Sequence, residues 1–437
     1  MNSLKLIFTL IIFCISPQII AQNPIVKDFG MADPHIYIFN NKAYLYTTRD
    51  EDRNANQFIM PDWHIWSSED LVNWTYELKI DPSETYMGKG SKSCWATETV
   101  TKNGKYYFYF SDGNKSTGVL VADNPEGPYN DVLGKPMLDE NLTPGKEYDP
   151  TVLIEEDGRA YIIFGHHSSK IEGLRYYIAE LAEDMISLKE IPKPMVVNKE
   201  NGFSNDKPNL HKHNGKYYLS AGSLYAVSNT IYGPYNFVGN SGDGTYGLTG
   251  QAHGNYFTWN NQWFHTWCKF VTDKKIRFRE SYITYVHYKD NGEMVDDTNF
   301  LKNHFATGIG RYDANWDKIE AEWYMKSEKV EKKESPNGGF EIQNIKNNAK
   351  LYFPNIKNIA DKKSISFFVS SVNEGIIEIQ DTSGKVVGSC KITSTGNSNS
   401  YATFTAHLKN TKAVSDICIV FKGISTDILH LDWFSFQ

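Results

Sequence analysis

The sequence predicts an all-β protein, a five-bladed β-propeller followed by a small β-sandwich, and three observations carry that expectation. Helical periodicity is scarce, while alternating Tyr, Phe, Ile and Val runs are punctuated by Asn-Gly and Asp-Gly turns, the pattern of β-hairpins. One hairpin grammar recurs five times along the first two-thirds of the chain. After Arg311 that grammar stops and a different set of short strands begins.

Each repeat consists of a polar residue, often before Pro, then an apolar strand, a two-residue turn and an aromatic strand. The five are DPHIYIFNNKAYLYTT from Asp33, ETVTKNGKYYFYFS from Glu98, DPTVLIEEDGRAYIIFG from Asp149, KPNLHKHNGKYYLSAGS from Lys207 and HGNYFTWNNQWFHTW from His253. Their turns fall near residues 40, 103, 157, 214 and 260, a spacing of roughly 46–63 residues that suits four-stranded propeller blades. Outer strands are expected between the hairpins, at 64–78, 118–131 and 225–237, and the paired Gly-Pro-Tyr turns at 127–129 and 233–235 strengthen the repeat. The propeller is therefore expected over residues 23–325.

Residues 326–339 (KSEKVEKKESPNGG) are charged and end in Pro-Asn-Gly-Gly, as a linker would. Residues 340–437 then carry KLYFPNI, SISFFVSS, GIIEIQD, SYATFTAHL, DICIVFKG and LHLDWFSF, which predict a β-sandwich. At the other end, residues 1–22 combine Lys5, an apolar run from Leu6 to about Ile15, and Ala21 near their close. This is the pattern of a secretory signal peptide, too short for a good membrane span, and it predicts a secreted or periplasmic protein.

A net charge of −7 argues against nucleic acid as a partner, and 27 Tyr and 10 Trp suit both strands and the flat faces that stack on sugars. Beyond the leader stand Cys94, Cys268, Cys390 and Cys418, with no CxxC spacing for zinc. Cys390 and Cys418 lie in strand-like runs and either pair or remain two buried thiols.

The innermost strand of each blade lines the propeller axis, so the residues that open these strands crowd around one funnel. Four repeats open with an ionisable group (Asp33, Glu98, Asp149, His253), and in the fourth repeat Asp206 precedes Lys207-Pro208. Carboxylates converging on one concave site split their pKa values, leaving one ionised as a base and another protonated as an acid, which is glycosidase chemistry. An Asp before Pro is also a common turn residue; the shared register across blades is what favours the catalytic reading. The aromatic pairs Tyr106-Tyr107, Tyr217-Tyr218 and Trp263-Phe264 read as blade core rather than sugar platforms.

On these motifs the first 300 residues or so resemble glycoside hydrolase family 43, five-bladed propellers that cleave β-xylosides, α-L-arabinofuranosides and some galactosides with inversion. The MADPH run at 31–35 resembles the first-blade motif, which implies Asp33 as the general base. Asp149 sits in the third-blade motif, whose Asp orients the acid and raises its pKa. His253 in GQAHGNYF resembles a fifth-blade His that often holds a structural calcium or its water shell, which implies Ca2+. Arg279 fits the Arg that hydrogen-bonds the terminal sugar. Two departures stand out. Asp206-Lys207-Pro208 replaces the family's Glu-Gly-Pro, so Asp206 falls at the acid position, one methylene short and beside a cation that would lower its pKa. Ala96-Thr97-Glu98 replaces Ala-Pro-Asp, which makes Glu98 the reserve acid or a substrate contact. Trp95 is a candidate floor for the sugar. The last hundred residues or so are similar to carbohydrate-binding module family 6, although STGNSNSYATF lacks the usual aromatic directly after Thr-Gly. The resemblance thus implies a secreted inverting hydrolase of plant cell-wall or related glycans, with an oligo- or polysaccharide as partner. The alternative is a catalytically altered or non-catalytic glycan-binding propeller.

Overall fold

The computed structural model describes residues 19–20, 23–165, 174–198, 203, 206–272, 276–409, 411 and 414–437. The signal-peptide expectation therefore lies almost wholly outside the described residues. Among the described residues no helix is long and apolar enough to cross a membrane.

Five groups of consecutive antiparallel strands follow one another around an axis. Their innermost members are Met31–Phe39, Cys94–Lys102, Thr151–Ile154, Pro208–His213 and Gly254–Trp259. Each packs on the next, and the fifth packs back on the first, closing the ring. Blades one, three, four and five have four strands, and blade two has three. The start of the chain completes blade five: Ile25 N donates to Ser281 O at 2.7 Å, and Asn23 exchanges two hydrogen bonds with Ile283.

The hairpins turn where the sequence placed them. Asn40-Asn41, Asn103-Gly104, Asn214-Gly215 and Asn260-Asn261 all have positive φ, the conformation that two-residue turns require and that Asn and Gly adopt most readily. Strand alternation then sends neighbouring side chains into different layers. Tyr106 enters the cluster shared by blades one and two, and Tyr107 that shared by blades two and three. Similarly, Tyr218 joins the layer between blades four and five while Tyr217 packs on the layer between three and four. The aromatic pairs are blade core, as expected.

The C-terminal part is a sandwich of two antiparallel sheets, but its start differs from the expectation. The run 326–339 is no linker: Lys326–Glu328 pairs with Ala349–Phe353, and Glu331–Glu334 pairs with Phe340–Gln343. Charged residues on an edge strand block further pairing, and that is why the run reads as solvated chain. Lys332 points inward, donating to Gln262 Oε1 at 2.7 Å and Val286 O at 3.1 Å. Pairing with the sandwich begins earlier still, since Tyr312–Asp313 lies along Ile356–Lys357 and Ile319–Glu320 along Trp433 and Phe434. One continuous core joins blades one and five to the sandwich through Tyr312, Trp323 and Phe353.

All four described cysteines are free thiols. Cys390 lies opposite Ile377 and Cys418 opposite Gln380, so the strand Gly375–Gln380 separates them and they do not pair.

Candidate active site

Asp33 and Asp149 open their strands in the same unusual way, with φ of 48° and 56° immediately before a proline. A residue before Pro normally stays extended, and a non-glycine residue in the left-handed region is uncommon. The turn tips both carboxylates off the strand and toward the axis. In blade one a register shift between Ala32 and His35 accompanies it.

A cavity of about 250 Å³ lies at this end of the axis, lined by Asp33, Asp149, Asp206, His253, Arg279 and Trp95 among others. Asp33 is only 2% exposed. Its Oδ1 accepts from Arg279 Nη1 at 2.8 Å and from His253 Nδ1 at 2.7 Å. Among the described residues its Oδ2 carries no hydrogen bond. Burial alone would raise the Asp33 pKa, but Arg279 and His253 outweigh it and hold the carboxyl well below the usual range. Arg279 is itself fixed by a fork of contacts to Asp50: Nε–Oδ2 and Nη2–Oδ1, both 3.0 Å. Asp50 arrives through a close approach at Gly30 (φ 79°), where a Cβ would stand 2.1 Å from the Asp50 carbonyl oxygen.

His253 bridges two carboxylates, since its Nε2 stands 3.1 Å from Asp206 Oδ1. Burial disfavours its charge, yet Asp206 and Asp33 together raise its pKa well above 6.5. Spanning one imidazole, the two acceptor oxygens of Asp33 and Asp206 are at most about 8 Å apart, a bound compatible with the roughly 6.5–9.5 Å separation of inverting glycosidases.

Asp149 has the opposite environment. Its amide donates to Ser111 Oγ at 2.9 Å, but its carboxylate accepts no hydrogen bond among the described residues. Burial, seconded by Asp206 and Asp33 against the pull of His253 and Lys207, raises its pKa to about 7. The cavity therefore holds one carboxyl kept ionised and another whose titration is moved up to neutrality.

Two expected residues stand elsewhere or otherwise engaged. Glu98 is 0% exposed and lies outside the cavity lining, accepting from the Tyr37 hydroxyl and from Thr99 N. It has no open path to a sugar, because the bulge between Trp95 and Thr97 turns it below the funnel floor. The calcium expectation at His253 meets an imidazole with both nitrogens facing carboxylates. Calcium takes oxygen ligands, and no group of three or more His, Cys, Asp or Glu among the described residues could hold a metal ion. These residues do not fit that ion.

Trp95 does line the cavity, edge-to-face with Phe58 and Tyr148. Sequence reasoning passed over several residues the fold brings here. Phe58 and Phe270 form the rim, with the Arg277 guanidinium over both rings at 5.1 and 5.4 Å. Asp50 and Tyr148 complete the lining and its supports. Asp50 ends a strand rather than opening one, so the blade repeat gives no signal for it; Tyr148, directly before Asp149, was legible.

Residues 21–294 match the family model for glycosyl hydrolases family 43, and residues 320–437 that for carbohydrate binding module family 6. The chain is 26% identical to an arabinoxylan arabinofuranohydrolase of Paenibacillus polymyxa, over 95% of this chain and 74% of that one. It is 30% identical to a xylosidase/arabinosidase of Bacteroides ovatus over 48% of this chain and 77% of that one. Among solved structures, the family 43 arabinoxylan arabinofuranohydrolase of Bacillus subtilis in complex with cellotetraose superposes with a TM-score of 0.57 at 24% identity, covering 95% of this chain and 97% of that one.

Proposed function

Because the chain belongs to glycosyl hydrolase family 43, we propose that it is a secreted inverting hydrolase that releases single arabinofuranosyl or xylosyl residues from plant cell-wall glycans. The observation that carries this reading is the split pair: Asp33 held ionised between Arg279 and His253, and Asp149 raised by burial to a pKa of about 7. In a single displacement, Asp33 Oδ2 takes a proton from a water that attacks the anomeric carbon. Asp206 protonates the leaving oxygen with a proton drawn from the charged His253, whose Nε2 stands 3.1 Å from Asp206 Oδ1, and Asp149 lines the same cavity. The about 8 Å upper bound on the Asp33–Asp206 separation is compatible with the spacing that admits such a water.

A cavity of about 250 Å³ accommodates one or two sugar rings, which favours terminal or branch residues over attack within a chain. Trp95 and Phe58 offer apolar faces, and Arg277, only partly buried, offers donors for sugar hydroxyls. Arg279 acts on the base rather than on the sugar, since its fork is taken by Asp50 and Asp33. Secretion rests on the leader pattern of residues 1–22.

The test is hydrolysis of aryl α-L-arabinofuranoside, β-xyloside and β-galactoside by wild type and Asp33→Asn. Release of arabinose or xylose that Asp33→Asn abolishes is the expected result. Equal release by both proteins would remove Asp33 from the mechanism.

A further inference from the structure

The start of blade four carries a charge that the proposed mechanism leaves unused. Lys207 is 1% exposed, a rare state for a lysine without counter-charges. Its side chain runs across the funnel floor to blade three, where Nζ donates to the Pro150 carbonyl at 2.9 Å. Burial lowers its pKa, and Glu98, Asp149 and Asp33, on three other blades, oppose that lowering. Beneath the same floor, Glu98 Oε2 is buried with no hydrogen-bond partner among the described residues, the neighbouring His35 Nδ1 standing 3.5 Å away. A carboxylate oxygen in that position needs a compensating positive charge. His35 favours the Glu98 carboxylate first and Lys207 after it, while burial and Lys207 lower the His35 pKa in turn.

The acidic groups at the axis thus already have cationic or donor partners built from the chain. Arg279 serves Asp33 and Asp50, His253 serves Asp33 and Asp206, and Lys207 faces Glu98 and Asp149. A divalent ion drawing on these carboxylates would compete with Arg279 and His253 for the same oxygens.

We propose that the buried Lys207 ammonium, which donates to the Pro150 carbonyl of the neighbouring blade, is this propeller's resident cation, so that fold and site operate without a bound divalent metal. Lys207 is a positioning residue: it lies outside the cavity lining and ties the inner strand of blade four to blade three.

The test reads metal content and thermal stability, neither of which depends on the substrate assigned above. Wild type purified from calcium-containing medium is expected to hold far less than one equivalent of calcium by elemental analysis. Its Tm is expected to be unmoved by EDTA or by added CaCl2. Lys207→Ala is expected to lower Tm by roughly 5–15 °C, the range for stranding a buried charge, and ethylammonium chloride is expected to restore part of it where equal NaCl does not. One equivalent of calcium in wild type, or a Tm that EDTA lowers and CaCl2 restores, would overturn the proposal. So would a Lys207→Ala protein of wild-type stability, or one that ethylammonium fails to help. Should Lys207→Ala not fold, the wild-type metal measurements decide alone.

Discussion

Asp149→Asn should make the protein more stable at alkaline pH while crippling it as an enzyme. The Asp149 carboxyl sits buried without a hydrogen bond to its oxygens, and its pKa is raised from 3.8 to about 7. Ionising it in the folded state therefore costs roughly 4 kcal/mol more than in the unfolded chain. The sign follows from proton counting. Between about pH 4 and pH 7 the folded protein keeps a proton that the unfolded chain has lost, so stability falls as pH rises and levels off above 7. Asparagine has no charge to bury. Calorimetry of wild type and Asp149→Asn at pH 4, 6 and 8 should show little difference at pH 4 and a gap that opens with pH. At about 2–4 °C per kcal/mol for a domain of this size, the variant should melt several degrees higher at pH 8. Its kcat should fall by roughly 10²–10⁴-fold, as for loss of a group that manages a proton in the transition state. A gap that stays constant with pH, or closes as pH rises, would refute the assignment of a protonated Asp149.

Three further outcomes follow from the same cavity. Asp33→Asn should cut kcat by about 10³-fold with little change in KM, because the base acts only in the transition state; steady-state kinetics on the preferred aryl glycoside checks this. Asp206→Asn should spare a dinitrophenyl glycoside, whose leaving group needs no proton, while losing roughly 10²-fold or more on an arabinoxylan oligosaccharide; equal losses on both would deny it the acid role. Arg279→Lys should break the fork to Asp50 and weaken the charge beside Asp33. The acidic limb of kcat/KM, which lies below pH 4 when Asp33 is held ionised, should then move upward.

Much of the propeller was legible because its determinants are local. Asn-Gly and Asn-Asn turns fix the hairpins, and period-two aromatic pairs fill successive inter-blade layers. Asp33 and Asp149 were legible for the same reason: each is an Asp-Pro at a repeated register. What failed was whatever depends on partners distant in sequence. The charged run 326–334 hides two edge strands whose partners lie up to about twenty-five residues on. Glu98 shares the register of Asp33 and Asp149, yet it is fully buried and lies outside the cavity lining. His253 looked like a metal ligand until its two nitrogens were seen to face Asp33 and Asp206. Lys207 looked like a disturbance to Asp206, whereas its side chain crosses to Pro150. The cysteines show the same limit, since two strand residues pair only if their strands adjoin, and spacing along the chain does not report that.

The central claim is that a water activated by Asp33 displaces the leaving group in one step. Time-resolved NMR of the sugar freshly released from the aryl glycoside that wild type cleaves fastest tests it most directly. The account predicts that the first anomer seen has the configuration opposite to that of the glycoside, with the other anomer appearing only by later mutarotation. First appearance of the same configuration as the substrate would mean a covalent intermediate, and would contradict the roles given to Asp33 and Asp206.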